Sequence, residues 1–157
     1  MENNTCLEER LLICIGNGYR QDDGVGPFIG RQLKLRGLPG VRIMENSGDG
    51  MAMMDAWKDE ETVILVDAVR SGQPAGTIFC FDAVANPMPE DIFAVSSHDV
   101  SIPDCIALSR SLGIFPEKLI FYGIEGENFG DGVQLSLAVK EAAIAVAEMI
   151  AEDLRYE

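Results

Sequence analysis

An α/β fold, a three-layer sandwich with a mostly parallel, twisted five-stranded sheet and helices on both faces, is predicted by three features of this chain. Short runs rich in Ile, Val, Leu and Phe recur at residues 11–15, 41–44, 62–68, 77–81 and 118–122, the signature of strands buried on both faces. Helical patterns lie between several of these runs, the alternation that covers a parallel sheet on both sides. The length of 157 residues fits a single domain, residues 1–157, able to bury about 70% of its unfolded surface.

Taken in order, the first strand, 11–15, runs into the loop Gly16-Asn17-Gly18-Tyr19-Arg20-Gln21-Asp22-Asp23-Gly24-Val25-Gly26. The helix that follows has Val25, Phe28, Ile29 and Leu33 on one face, Pro27 in its first turn and Gly37 as its stop. After the second strand, 41–44, a short helix is expected around residues 51–58. The third strand, 62–68, ends on Asp67-Ala68, and Gly72 to Gly76 predicts a hairpin into the strand at 77–81, adding an antiparallel element. Asn86-Pro87-Met88-Pro89 marks a loop. Ile102, Cys105, Ile106, Ser109 and Leu112 form a helical face that ends at Gly113. The last strand, 118–122, precedes a long helix whose inner face is Val139, Ala143, Val146, Ile150 and Leu154.

Charge and cysteines narrow the function. Twelve Lys and Arg against twenty-six Asp and Glu give a net charge of -14 with no basic stripe, which repels a phosphate backbone and argues against nucleic acid as a partner. The charge serves solubility or steers a basic substrate segment; composition does not choose between them. The most hydrophobic helical stretch, 137–154, is broken by Lys140, Glu141, Glu148, Glu152 and Asp153, so no membrane partner is expected. Three glutamates and no apolar core in residues 1–10 match neither a secretory signal nor a transit peptide, and the expected location is cytoplasmic. Cys6, Cys14, Cys80 and Cys105 lack zinc-ribbon or redox-pair spacing and read as free, mostly packed thiols.

Parallel topology brings three chemistry-bearing positions to one sheet edge, the edge where open α/β sheets bind ligands. Asp22 and Asp23 follow the first strand, Asp67 ends the third, and His98, the only histidine, lies in Ser96-Ser97-His98-Asp99 ahead of a helix. Carboxylates with an imidazole form a ligand set for nickel, zinc or manganese. Each position also has a plainer explanation. Acidic residues ahead of a helix cap it and meet its dipole, and a lone histidine is often a surface loop residue. Asp67 resists that explanation, because a carboxylate ending an apolar run is costly unless solvated or paired. The glycines around Gly16 make a poor dinucleotide fingerprint, since the third is misplaced and a carboxylate pair stands where a pyrophosphate would lie.

The ordered set of these residues resembles the hydrogenase maturation endopeptidases, which trim the C-terminal extension of the nickel hydrogenase large subunit. The resemblance is collinear and nearly full length. It runs through Ile15-Gly16-Asn17 with Asp22-Asp23-Gly24-Val25-Gly26, Val66-Asp67-Ala68 with Gly72, Pro74 and Gly76, and Ser96-Ser97-His98. It continues through Ala107 to Gly113 with Pro116, Tyr122-Gly123-Ile124-Glu125, and the helix entry Leu135-Ser136. The resemblance implies that Asp23, Asp67 and His98 are both the metal ligands and the catalytic set. It implies that the partner is a hydrogenase large-subunit precursor and that nickel, supplied by that substrate, is sensed before cutting; other divalent ions could occupy the same ligands. Asp23 stands where many relatives have glutamate, one methylene longer; Gly126 and Leu137 replace frequent prolines. Asp22 is then a supporting partner or base, with Arg70 and the segment from Ser47 to Met54 as candidate cleft wall. Two other readings share the acidic residues: a metal-sensing maturation chaperone that does not cut, and a receiver-type phosphoacceptor domain. The receiver spacing fails, because its acidic pair directly follows the first strand.

Overall fold

The computed structural model describes residues 9–89, 92 and 100–155. In chain order the elements are β1 (Arg10–Ile15), a 3-10 turn (Gln21–Gly24), α1 (Val25–Arg36), β2 (Val41–Asn46), α2 (Gly50–Trp57), β3 (Thr62–Val69), β4 (Ile78–Asp82), α3 (Ile102–Leu112), β5 (Lys118–Glu125) and α4 (Leu137–Arg155). The strands form one five-stranded sheet in the order β2-β1-β3-β5-β4. All neighbours are parallel except β4, which runs antiparallel to β5.

The alternation of side chains along each strand builds two cores. Leu12 and Cys14 of β1, Ile64 and Val66 of β3, and Tyr122 and Ile124 of β5 face α1 and α4. Leu11, Ile13, Ile15, Val63, Leu65, Val69, Leu119 and Phe121 face α2 and α3 on the other side. The expected three layers are therefore present. Val25, Ile29 and Leu33 are the buried stripe of α1, and α1 stops at Gly37, whose φ of 62° is a left-handed cap. All five residues expected on the inner face of α4 are buried. A polar residue on the core face of α3, Ser109, is fully buried and accepts a 2.9 Å hydrogen bond from Trp57 Nε1 of α2, which ties the two helices of that layer together.

Three expectations need correction. β3 and β4 are not a hairpin: β5 inserts between them, so the antiparallel strand is present but is paired with a later part of the chain. Strands β2 and β5 run on to Asn46 and Glu125, beyond the expected runs, because the parallel ladder continues through Glu45 and Asn46 of β2 and through Gly123, buried Ile124 and Glu125 of β5. Cys80 is exposed on β4 rather than packed, whereas Cys14 and Cys105 are buried. Burial pushes the Cys14 thiol up to about 12, so it holds its proton at neutral pH. Cys6 lies outside the described residues.

No helix among the described residues is long and apolar enough to cross a membrane. The strand order also separates this sheet from the flavodoxin-like order 2-1-3-4-5 to which receiver domains belong.

Candidate active site at the switch point of the sheet

Strand β1 has β2 on one side and β3 on the other, so the chain reverses its direction of winding between β1 and β3. At such a switch point the connections leave on opposite faces and open a crevice beyond the strands' carboxyl ends. Asp23 stands in the loop after β1, and Asp67 is the sixth residue of the eight in β3, opposite Gly123 of β5. The structure thus brings both to the same edge of neighbouring strands. Both are buried: Asp23 is 9% and Asp67 3% exposed. His98 lies outside the described residues. Among the described residues no three His, Cys, Asp or Glu side chains are grouped to hold a metal ion.

The loop before Asp23 is shaped by close backbone packing. Gly16 has φ +141°, and a Cβ there would stand 1.9 Å from the carbonyl oxygen of Asp23; at Gly26 a Cβ would meet the Ile15 carbonyl oxygen at 2.3 Å. These glycines let the loop fold against itself. The Asn17 N–H, held over Asp23 by this packing, donates a 2.9 Å hydrogen bond to its Oδ2. Neither aspartate caps α1, whose N-cap, Gly24, has no side-chain cap bond, so the capping explanation does not hold.

Asp22 has a different task. Its Oδ2 accepts from the Glu127 N–H (2.8 Å), the Asn128 N–H (2.8 Å) and the Ser136 hydroxyl (2.8 Å), and its Oδ1 from the Ser136 N–H (2.7 Å). Burial acts to raise its pKa, but these four donors outweigh it and hold the carboxyl below the ordinary carboxylate range. Such a group is a poor base, which corrects that part of the expectation. It is a staple joining the 16–24 loop to segment 126–136. Gln21, the one non-glycine with positive φ (48°) among the described residues, reinforces the join. Its N–H donates to the Gly132 carbonyl at 2.8 Å, and its Oε1 accepts from the Gly130 N–H at 3.2 Å.

A fourth buried carboxylate at this edge, beside Asp22, Asp23 and Asp67, is Glu125, 3% exposed at the end of β5. It accepts from the Ser71 N–H (2.9 Å), the Ser71 hydroxyl (2.6 Å) and the Gly72 N–H (3.0 Å), fixing the loop that follows β3. Sequence reading placed Glu125 in a motif without giving it this role. The signal was available, since a carboxylate ending an apolar strand is what singled out Asp67.

Beside the Asp23 loop lies a cleft of about 540 Å³ over the ends of β1 and β2, lined by Asn17, Tyr19, Arg31, Glu45, Ser47 and Val133 among others. Neither Asp23 nor Asp67 lines it. Of the expected wall segment, Ser47 faces this cleft and Met51 is exposed, but Met53 and Met54 are core residues. Arg70 is not in its wall; its guanidinium lies 4.6 Å above the Phe129 ring.

A doubly wound sheet carrying buried carboxylates at its switch point defines an α/β protein that works at the carboxyl edge of its strands. Residues 29–153 match the family model of the hydrogenase maturation proteases (HycI), and the chain belongs to that family. It is a peptidase. The matched span includes Asp67 and His98 and begins after Asp23. The chain is 26% identical over 150 residues to the hydrogenase 2 maturation protease of Escherichia coli, covering 92% of this chain and 90% of that one. It is 30% identical over 142 residues to protein FrxA of Pyrococcus furiosus, covering 85% and 96%. The structure of the hydrogenase maturating endopeptidase HybD from E. coli shares the fold, with a TM-score of 0.80 at 22% identity over 94% of this chain and 92% of that one.

Proposed function

We propose that this protease removes the C-terminal extension of a nickel-containing hydrogenase large-subunit precursor in the cytoplasm, and that it does so after sensing the nickel the precursor carries. The observation that carries the reading is the placing of two buried carboxylates, Asp23 in the turn that follows β1 and Asp67 near the end of neighbouring β3, at the switch point of a maturation-protease fold. With the imidazole of His98 they form an oxygen and nitrogen donor set suited to nickel or another borderline divalent ion. The metal arrives as part of the substrate, so a precursor without it lacks the charge that the carboxylates meet. A bound nickel would polarise the scissile carbonyl or lower the pKa of a water.

What the chain contributes is position. The Asn17 N–H orients the Asp23 carboxylate, and the β3–β5 ladder fixes the backbone of Asp67 opposite Gly123. Asp22, already saturated by four donors, leaves the chemistry to its neighbour and keeps segment 126–136 against the Asp23 loop.

The test is substitution at the proposed ligands. Asp23→Ala, Asp67→Ala and His98→Ala are each expected to abolish release of the C-terminal peptide while the far-UV circular dichroism spectrum stays native. Normal processing by all three variants would remove the assignment. A folded wild-type protein that binds the nickel-loaded precursor and never cuts it would favour the chaperone reading.

A further inference from the structure

Two arginines at the mouth of this edge remain without a role. Arg20 is three positions before Asp23 and Arg70 three positions after Asp67, and both are exposed. They meet at one residue: Arg20 Nη2 donates to the Phe129 carbonyl at 3.2 Å, and the Arg70 guanidinium stacks 4.6 Å from the centre of the Phe129 ring. Phe129 is itself held, because its ring packs where a Cβ on residue 126 would be, 2.3 Å from the ring, so a glycine at that position admits it. The backbone beneath each arginine is fixed too, by the Arg20 N–H bond to the Asn17 carbonyl (3.1 Å) and by the Glu125 clamp on Ser71 and Gly72.

The chemistry of the pair is specific. Among the described residues neither guanidinium has a carboxylate within ion-pair distance, although the chain carries twenty-six acidic residues. A guanidinium stacked on a ring, or anchored to a carbonyl by one nitrogen, keeps further N–H donors for a planar bidentate acceptor and loses less freedom in binding it. In a protein of net charge -14, such a pair is also the local exception that lets an anionic group approach the acidic edge.

We propose that Arg20 and Arg70 form a carboxylate-binding subsite, mounted on Phe129, that anchors an acidic group of the peptide being cut. The proposal rests on the protease reading above. The carboxylate comes from the terminal α-carboxyl of the precursor or from acidic side chains within its extension, and the two sources are separable by synthesis.

The experiment measures binding rather than cutting. A fluorescently labelled peptide with the sequence of a precursor's C-terminal extension is made with a free terminus, with an amidated terminus, and with its acidic side chains changed to amides. Each form is titrated by fluorescence anisotropy against wild type, R20Q/R70Q and R20K/R70K, all checked for native melting temperature. The free-terminus peptide is expected to bind R20Q/R70Q about tenfold more weakly than wild type, with the lysine pair recovering part of the loss because it keeps charge without the planar fork. Weakening by amidation in wild type but not in R20Q/R70Q assigns the terminal carboxylate; the same pattern on side-chain neutralisation assigns an acidic side chain. Equal affinity of wild type and R20Q/R70Q, no binding to wild type, or indifference to both peptide changes overturns the subsite. A wild type that binds in this manner yet cuts no precursor would overturn the protease assignment of the substrate and leave the subsite standing.

Discussion

Replacing Asp22 with Asn tests how the site is held together. The change keeps size and removes charge. The carboxylate now serves four donors, three of them backbone N–H groups from segment 126–136. Hydrogen bonds to a charged acceptor contribute about 1.5–3 kcal/mol each and neutral ones about 0.5–1.5. An Asn oxygen in the Oδ2 place would keep the Glu127, Asn128 and Ser136 hydroxyl contacts in neutral form. Its NH2 would face the Ser136 N–H and leave that donor unsatisfied, at a cost of about 1–3 kcal/mol. Allowing for water entering the exposed side of the segment, the net loss is roughly 2–4 kcal/mol, which for a chain of this size lowers the melting temperature by about 5–15 °C. Hydrogen exchange should speed at Asn128 and Ser136 before it does in β1. The pH dependence has a definite sign. The folded pKa of Asp22 is lowered, so its stabilisation is complete above the unfolded value of about 3.9 and is lost as pH falls through the folded value. The variant should therefore show a flatter acid limb below about pH 4. A variant with native melting temperature, unchanged exchange at Asn128 and Ser136, and the wild-type acid limb would refute the staple.

Gly16→Ala combines a φ of +141° with a Cβ 1.9 Å from the Asp23 carbonyl oxygen, a backbone atom with little room to yield. It is expected to cost at least about 2 kcal/mol and to halt processing by displacing Asp23, checked by thermal melting and peptide release. Glu125→Gln should weaken the hold on Ser71 and Gly72 by about 1–3 kcal/mol, seen as faster exchange of those two amides with β3 unchanged; full protection there would count against the clamp.

The layers of this fold were legible because periodicity reports burial. The runs at 11–15 and 62–68 and the stripe Val139 to Leu154 carry enough apolar repeat to fix type and face without long-range information. The pairing of β4 was not legible. A strand's neighbours depend on elements far away in sequence, and the Gly72 to Gly76 turn reads the same whether it returns the chain to β3 or delivers it beyond β5. At the site, Asp67 stood out because a carboxylate ending an apolar run demands a reason. Apart from the family resemblance, which made Asp23 the ligand and Asp22 its support, nothing in the residues told Asp22 and Asp23 apart, since their difference lies in partners more than one hundred residues away for the first and six residues away for the second. Their burial had no local signal either: a loop rich in glycine looks open in sequence, yet Gly16 and Gly26 close it on itself. Phe129 gave no local signal, because its importance comes from Arg20 and Arg70, which reach it from separate loops.

The central claim is that cutting waits for metal. The most direct measurement mixes the purified protein with large-subunit precursor prepared with nickel and without it, and follows the released C-terminal peptide by mass spectrometry. Release from the nickel-loaded precursor alone is the predicted result. Equal release from both forms would contradict nickel sensing, and release from neither would contradict the assigned substrate.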